Sequence, residues 1–166
     1  MRKSNLYLET SVFGFYYDEK MENILKREAA RKLFTQIKKG FFYGLTAPLT
    51  VTEIDRVPSP YKEKLSQLIK GYGIEIVEIE ESELESLFQN YMTEKIVPVK
   101  FRNDARHVAC ATILRVDVLV SYNLEHIANE WRARQFNAVN LREGYLPINI
   151  RMPEEVIYYE DQRFQR

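Results

Sequence analysis

The amino-acid sequence predicts an α/β domain built on a parallel β-sheet. Short apolar runs alternate along the chain with longer segments whose apolar residues recur at helical spacing. Residues 116–121 are nearly all apolar, as expected for a central parallel strand that is buried on both faces. Strands that alternate with helices are typical of a layered sheet with parallel strands. The length of 166 residues is that of one domain.

The first half of the chain predicts three strands, over residues 5–8, 41–45 and 73–79. Between the first two, apolar residues recur at helical spacing over 22–38, and Gly40 follows as a stop signal. A short helix is expected after Pro48, and Pro58 ends it. Pro60 then stands at a plausible helix start, and the helix from there ends at Gly71.

The second half predicts helices over residues 82–91, 103–114 and 124–136, and strands over 116–121 and 147–150. The helix over 103–114 is the clearest, because Ala105, Val108 and Ala109 are small enough for close packing on a sheet. No internal repeat or linker is visible. We therefore expect one domain over residues 1–150 and a C-terminal tail over residues 151–166.

Composition narrows the classes of function. The 24 basic and 24 acidic residues cancel, so no overall basic field marks a nucleic-acid binder, although a local basic rim would suffice for a small site. The single cysteine, Cys110, excludes an internal disulfide and a cysteine-rich zinc site. No run is long enough for a membrane span, and too few apolar residues precede Glu9 for a signal peptide. We expect a soluble cytoplasmic protein without a membrane partner.

Four oxygen-rich positions stand just after or inside apolar stretches: Glu9, Glu53, Asp104 and Asn123. Ligands of open parallel sheets bind beyond the carboxyl ends of the strands, where these side chains are expected to converge. Mg²⁺ and Mn²⁺ take oxygen ligands, and clustered carboxylates are strained without a cation. The set predicts metal-assisted hydrolysis of a phosphodiester.

Each of these residues has an ordinary alternative when it is taken alone. A glutamate after a strand is most often solvated, Asp104 suits the start of a helix, and Asn123 suits a turn. The prediction therefore depends on the set.

At these residues the chain resembles the PIN-domain ribonucleases, and in particular the VapC-type toxins of toxin–antitoxin pairs. Leu6-Tyr7-Leu8-Glu9-Thr10-Ser11 is similar to the family's first strand, which normally ends in Asp-Thr-Ser, and Thr52-Glu53-Ile54 to its second acidic motif. Asn103-Asp104-Ala105-Arg106-His107-Val108-Ala109 resembles its Asp-Ala-x-His-x-Ala helix, the most specific match. Val118-Leu119-Val120-Ser121-Tyr122-Asn123 is similar to the strand that follows.

The resemblance implies a three-layer α/β/α Rossmann-like domain that cleaves RNA with Mg²⁺ or Mn²⁺. It implies that Glu9, Glu53 and Asp104 are metal ligands and that Ser11 and Asn123 are supporting polar groups, with Asn123 counted among the catalytic positions. A homodimer and a cognate antitoxin protein are the expected partners besides the RNA substrate. Four aromatic residues that the sequence pattern leaves exposed also favour a dimer: Tyr16, Tyr17, Tyr158 and Tyr159.

Two departures from the family pattern support an alternative. Glu9 stands where aspartate is usual, and Asn123 stands where many members have a fourth aspartate. The second change removes a negative charge, although an amide oxygen is still a metal ligand. The alternative is a catalytically weakened PIN-like module that binds nucleic acid or protein. A small phosphatase is a third interpretation, but it needs Asp-x-Asp after the first strand, where this chain has Glu9-Thr10-Ser11.

Several nearby residues have weaker functional interpretations. Lys100, Arg102 and Arg106 surround Asp104 in sequence and would line a phosphate track, if they are more than ordinary solvated charges. Tyr16 and Tyr17 would stack on unpaired bases or else pack against other aromatic rings. We expect His107 to be a hydrogen-bonded structural residue rather than a base.

Overall fold

The sheet is entirely parallel, and the first strand lies in its middle. The structure is a computed structural model that describes residues 2–159. Its strands are β1 (Ser4–Leu8), β2 (Phe42–Thr46), β3 (Glu75–Ile76), β4 (Val118–Val120) and β5 (Ile150–Arg151). They are arranged in the order β3-β2-β1-β4-β5.

Helices connect the strands and cover the sheet. They are α1 (Thr10–Tyr16), α2 (Ile24–Lys38), α3 (Pro48–Asp55), α4 (Tyr61–Gly71), α5 (Glu81–Thr93), α6 (Arg102–Ile113), α7 (Glu130–Arg142) and α8 (Pro153–Val156). Among residues 2–159, none of the helices has the length and apolar character that a bilayer span requires.

The alternation of side chains along β1 separates two hydrophobic clusters. Tyr7 belongs to a cluster formed with α5, α6 and α7. Leu6 and Leu8 belong to a second cluster, formed with α1, α2 and α4. Because successive side chains of a strand point to opposite faces, helices lie on both sides of the sheet. The predicted three-layer α/β/α fold of the Rossmann-like class is confirmed.

The order of the strands creates a crevice beside β1. From β1 the chain proceeds to β2 and β3 on one side of the sheet, and β4 and β5 lie on the other side. The direction of winding therefore reverses between β1 and β4. In open parallel sheets ligands bind beyond the carboxyl ends of the strands at such a reversal.

The third strand is much shorter than the predicted range of 73–79. Only two residues of it, Glu75 and Ile76, pair with β2, and both are exposed. Of the alternating apolar residues, Ile74 is buried but Ile76 is exposed, so the apolar side of this edge strand is covered only in part. The last strand likewise begins at Ile150, at the end of the predicted range 147–150.

The helix predicted over 124–136 starts later, as α7. The cause is Asn123, whose side-chain Oδ1 accepts a hydrogen bond from the backbone N of His126 at 3.0 Å and holds the chain in a turn. Asn129 then caps α7 by accepting from the backbone N of Arg132 at 2.8 Å. Asparagine competes with helical hydrogen bonds in this way.

The predicted boundary between a domain over residues 1–150 and a tail over residues 151–166 differs from the structure. It falls inside β5, and α8 follows and packs on α2. Ile157 is buried in the second cluster, and Gln36 exchanges two hydrogen bonds with the backbone of Tyr158, at 2.8 and 2.9 Å. The domain therefore continues to the end of the described residues, and the rest of the predicted tail lies outside them.

Candidate metal centre and its surroundings

Glu9 is buried at the carboxyl end of β1 and caps the helix that follows. Its carboxylate accepts hydrogen bonds from the backbone N of Ser11 at 3.1 Å and from the Ser11 hydroxyl at 2.6 Å. The hydroxyl of Ser121, which follows β4, donates to the same carboxylate at 2.6 Å. Glu9 therefore joins the ends of the two strands that border the crevice, and the Ser11 hydroxyl hydrogen-bonds it.

Glu53 reaches the crevice from α3 and binds a buried histidine. Its Oε1 accepts a hydrogen bond from Nε2 of His107 and another from the hydroxyl of Thr10 at 2.7 Å. A carboxylate only accepts, so Nε2 of His107 carries a proton. The other ring nitrogen, Nδ1, lies 2.8 Å from the hydroxyl of Tyr7. Both nitrogens are thus engaged, and the structure places His107 in a structural network as the sequence predicts.

The charges around this histidine shift two pKa values in opposite directions. Burial acts to lower the pKa of His107, but the hydrogen bond to Glu53 and the negative charges of Glu9, Glu53 and Asp104 outweigh it and raise that pKa. Burial acts to raise the pKa of Glu53, but the hydrogen bond and charge of His107 and the hydrogen bond from Thr10 outweigh it, so that pKa is lowered. The shifts support an imidazolium–carboxylate pair.

Asp104 lies in the first turn of α6 and binds the second histidine of the chain. Its Oδ2 accepts a hydrogen bond from Nδ1 of His126 at 2.9 Å, and the side chain of His126 is almost fully buried. The ring of Phe101 lies over that imidazole, with 4.3 Å between the ring centroids. Asp104 therefore has a fixed direction, which Asn123 helps to define by holding the backbone of His126.

Of the three predicted acids, Glu53 contacts His107 directly, and Glu9 and Asp104 act on it through their charges. Glu9, Glu53 and Asp104 all lie close enough to His107 for their charges to raise its pKa. A chain of contacts also connects two of them around the crevice. The Ser121 hydroxyl donates to Glu9 and accepts from the backbone N of Asn123 at 2.9 Å, and Asn123 holds His126, the partner of Asp104.

Asn123 uses its side-chain oxygen to form a turn. Its side-chain oxygen accepts the hydrogen bond from the backbone of His126, so the residue forms a turn. The contribution of Asn123 to the site is therefore to position Ser121 and His126.

The basic residues near Asp104 differ in their surroundings. Arg106 packs against α5, where its guanidinium lies 4.0 Å from the ring centroid of Phe88 and 3.6 Å from the carboxylate of Glu85. Lys100 and Arg102 are exposed just before and at the start of α6. Of the three predicted RNA contacts, the structure leaves these two on the surface.

The three acids are suitable metal ligands by residue type, but their side chains are not arranged around a metal ion. Three carboxylates supply the oxygen ligands that Mg²⁺ and Mn²⁺ take. However, within residues 2–159 no three His, Cys, Asp or Glu side chains are arranged so that they could hold a metal ion. Each carboxylate is directed to a hydroxyl or an imidazole instead. In these positions the residues do not fit the ion. To bind a cation, the carboxylates would have to give up their hydrogen bonds to the hydroxyl groups and imidazoles.

His126, Thr10 and Ser121 were not among the predicted site residues, although each hydrogen-bonds one of the acids. The sequence offered one signal for His126, which is that histidine occurs only twice in the chain. In the structure, both histidines hydrogen-bond a predicted metal ligand. Cys110, one turn after His107 on α6, is a core residue as expected, and burial raises the pKa of its thiol to about 12.

No protein-family model and no curated protein matches this chain.

Proposed function

We propose that this protein is a metal-dependent endoribonuclease of the PIN type and the toxin of a toxin–antitoxin pair. The observation that carries the proposal is that hydrogen bonds join Glu53, Glu9 and Asp104 to Thr10, Ser121 and His126, in the segments that follow β1 and β4, where the winding of the sheet reverses. Carboxylates that converge on one site repel one another, and a divalent cation is the ordinary means of offsetting such repulsion in phosphodiester chemistry. Mg²⁺ or Mn²⁺ is the proposed cofactor.

The substrate in this proposal is single-stranded or looped RNA. A shallow carboxylate site reaches a splayed backbone more easily than the groove of a duplex. Exposed Lys100 and Arg102, next to Asp104 in the chain, support binding of a polyanion on that side.

The test compares cleavage of an RNA pool by the wild type and by Asp104→Asn, with Mn²⁺, with Mg²⁺ and with EDTA. Glu81→Gln, an exposed acid on α5, is the matched control. We expect Asp104→Asn and EDTA to abolish cleavage and Glu81→Gln to leave it unchanged. Cleavage that survives both the Asp104 variant and the chelator would refute the proposal.

The second candidate is a PIN-like module that binds nucleic acid or protein without cutting. The observation in its favour is that each acid is already bonded to a neighbouring side chain. Binding of RNA by the wild type without cleavage under any metal would select this candidate.

A homodimer and an antitoxin protein belong to the same proposal. The aromatic residues give the dimer limited support: Tyr16 packs on Phe34, and Tyr158 stacks on Phe42, whereas Tyr159 remains 46% exposed. Light scattering is expected to return twice the chain mass of 19.7 kDa. The monomer mass at micromolar concentration would contradict the dimer. A short neighbouring gene that encodes a DNA-binding start and a disordered tail would support the antitoxin.

A further inference from the structure

A cleft of about 620 Å³ lies at the end of α1 that is remote from Glu9. Residues of the segment that follows α1, of α2 and of α4 line it. Its volume lies within the range of about 300–1,000 Å³ that is usual for ligand sites. The cleft is therefore large enough for a ligand of the size of a nucleotide.

Three cations face this cleft: Lys20, Arg31 and Lys64. Within the part of the chain that the structure describes, none of them forms an ion pair with a carboxylate. Nε of Arg31 donates to the carbonyl of Tyr16 at 2.8 Å, which fixes the guanidinium at the wall. The three positive charges are thus available to an anion.

Two acids, Asp18 and Glu19, also line the cleft and offset part of this positive charge. Asp18 uses one carboxylate oxygen for the backbone N of Lys20, at 2.9 Å, and the other for the amide of Asn23, at 3.0 Å. It therefore shapes the loop between α1 and α2. Glu19 is exposed to solvent. With three cations and two acids, the lining carries a net charge of +1.

Two aromatic rings complete the lining. Tyr17 and Tyr61 meet edge to face, with 6.1 Å between the centroids, and the hydroxyl of Tyr61 donates to the carbonyl of Gly14 at 3.1 Å. Both side chains are only half-buried. Tyr16, in contrast, packs against Phe34. Cations combined with accessible aromatic rings are the means by which proteins bind single-stranded nucleic acid.

We propose that this cleft binds one nucleoside-phosphate unit of single-stranded RNA, with the base against Tyr17 and Tyr61 and the phosphate beside Lys20, Arg31 and Lys64. The inference rests on the proposed function for the identity of the polymer. The seven residues of α1 separate the cleft from Glu9, which corresponds to about 10 Å of helix. A strand that passes the carboxylates therefore reaches the cleft, which holds it at a second point.

The test measures binding of a short fluorescent oligouridine in EDTA, where no cutting occurs, as a function of salt. The variant Lys20→Ala/Lys64→Ala removes two cations of the cleft and leaves Arg31, which holds α1. The matched control Lys39→Ala/Lys70→Ala removes two exposed lysines from the ends of α2 and α4. We expect the cleft variant to bind about fivefold or more weakly and to lose about 1.4 from the salt slope, at about 0.7 per cation.

The base contact is tested with Tyr17→Leu and Tyr17→Phe. We expect the leucine variant to weaken binding about fivefold or more, and the phenylalanine variant to retain it because the ring remains. An abasic oligonucleotide and polyglutamate of equal charge are expected to bind more weakly than oligouridine. Equal binding of either polymer would overturn the nucleotide assignment.

Equal affinities and salt slopes for the two double-lysine variants would overturn the proposal for the cleft. This outcome is distinguishable from failure of the proposed function. A protein that binds oligouridine through the cleft but never cuts it contradicts the ribonuclease alone. A protein that cuts RNA while the cleft variant binds normally contradicts the cleft alone.

Discussion

At the scale of single residues, the candidate site is a set of carboxylates whose oxygens are already used. Glu9 is bonded to Ser11 and Ser121, and Glu53 to His107. A cation competes with these donors for the same lone pairs. Its affinity is therefore the difference between the ion–carboxylate attraction and the lost hydrogen bonds, not the attraction alone.

The pair of Glu53 and His107 predicts a specific dependence of stability on pH. The folded pKa of His107 is raised, so its contribution is complete below about pH 6.5 and is lost as pH rises through the folded pKa. The folded pKa of Glu53 is lowered, so its contribution is complete above about pH 4.3 and is lost as pH falls through the folded pKa. The pair stabilises most in the window between.

This dependence is measured from urea unfolding of the wild type and of His107→Gln across pH 4 to 9. The variant lacks the titrating imidazole, so the difference in unfolding free energy should shrink above about pH 6.5. A difference that is constant across the alkaline side would contradict the raised pKa of His107.

A second residue-scale prediction concerns Asn123→Asp. The carboxylate still accepts the hydrogen bond that Asn123 receives from the backbone of His126, so the turn is expected to persist. The added negative charge should tighten Mn²⁺ binding about fivefold or more, because the affinity of such sites increases with the charge of the ligands. Titration calorimetry measures this effect.

Asn129→Asp is the control for this change, since Asn129 is also a capping residue but caps α7. We expect it to leave the Mn²⁺ affinity unaltered. Equal Mn²⁺ affinities for the wild type and Asn123→Asp would show that residue 123 does not contribute to a metal site.

The sequence predicts the site residues that lie at the ends of strands, because the direction of parallel strands fixes their place. It does not predict the contacts that depend on how distant segments pack. Glu9 comes directly after β1 and Asn123 three residues after the end of β4, so topology alone places them at one edge of the sheet. His126 reaches Asp104 only because Asn123 prevents an early helix. No local pattern reports such a contact between distant residues.

At the scale of elements, long amphipathic segments were predictable and short ones were not. The helices α2 and α4 lie close to their predicted ranges, since their apolar stripes match the core over several turns. The helix α1 was not predicted. Its seven residues are stabilised by the Glu9 cap and by burial of Val12 and Phe13, which depend on the surrounding fold.

The second strand contains a position where packing demands glycine. A Cβ at Gly44 would lie 2.7 Å from Cδ1 of Ile74 and 3.1 Å from Cγ2 of Ile37. Gly44→Ala therefore forces these side chains apart, and we expect a loss of about 1 kcal/mol in the free energy of unfolding.

Gly71→Ala is the matched control for Gly44, because a methyl group added to Gly71 at the end of α4 would have nothing within 4 Å. Alanine is the better helix former, so this variant should gain about 0.5 kcal/mol or more. Urea unfolding measures both changes. If Gly44→Ala is as stable as Gly71→Ala, the close approach of α2 to the sheet is not a constraint.

At the scale of the whole molecule, the acids link the local chemistry of the crevice to the stability of the fold. They come from three elements: Glu9 follows β1, Glu53 belongs to α3 and Asp104 to α6. A ligand that binds all three acts only on the folded chain, because unfolding separates them. Binding free energy is then also folding free energy.

Mn²⁺ at a hundredfold excess over its dissociation constant should stabilise the protein by about 2.7 kcal/mol. For a chain of this length the expected rise in Tm is about 5–10 °C. The measurement is a thermal melt with Mn²⁺ and with EDTA. Asp104→Asn, which lacks one ligand charge, should show a much smaller rise, and identical midpoints in all four samples would exclude a functioning metal site.

The buried thiol of Cys110 allows the opening of α6 to be followed by the rate of thiol labelling. Thiolates rather than thiols react with maleimides, so burial and the raised pKa of Cys110 should protect it in the native state. The rate of labelling then reports how often α6 opens, and this helix carries both Asp104 and His107. Since Cys110 is the only cysteine of the chain, every labelled molecule records that event without engineering.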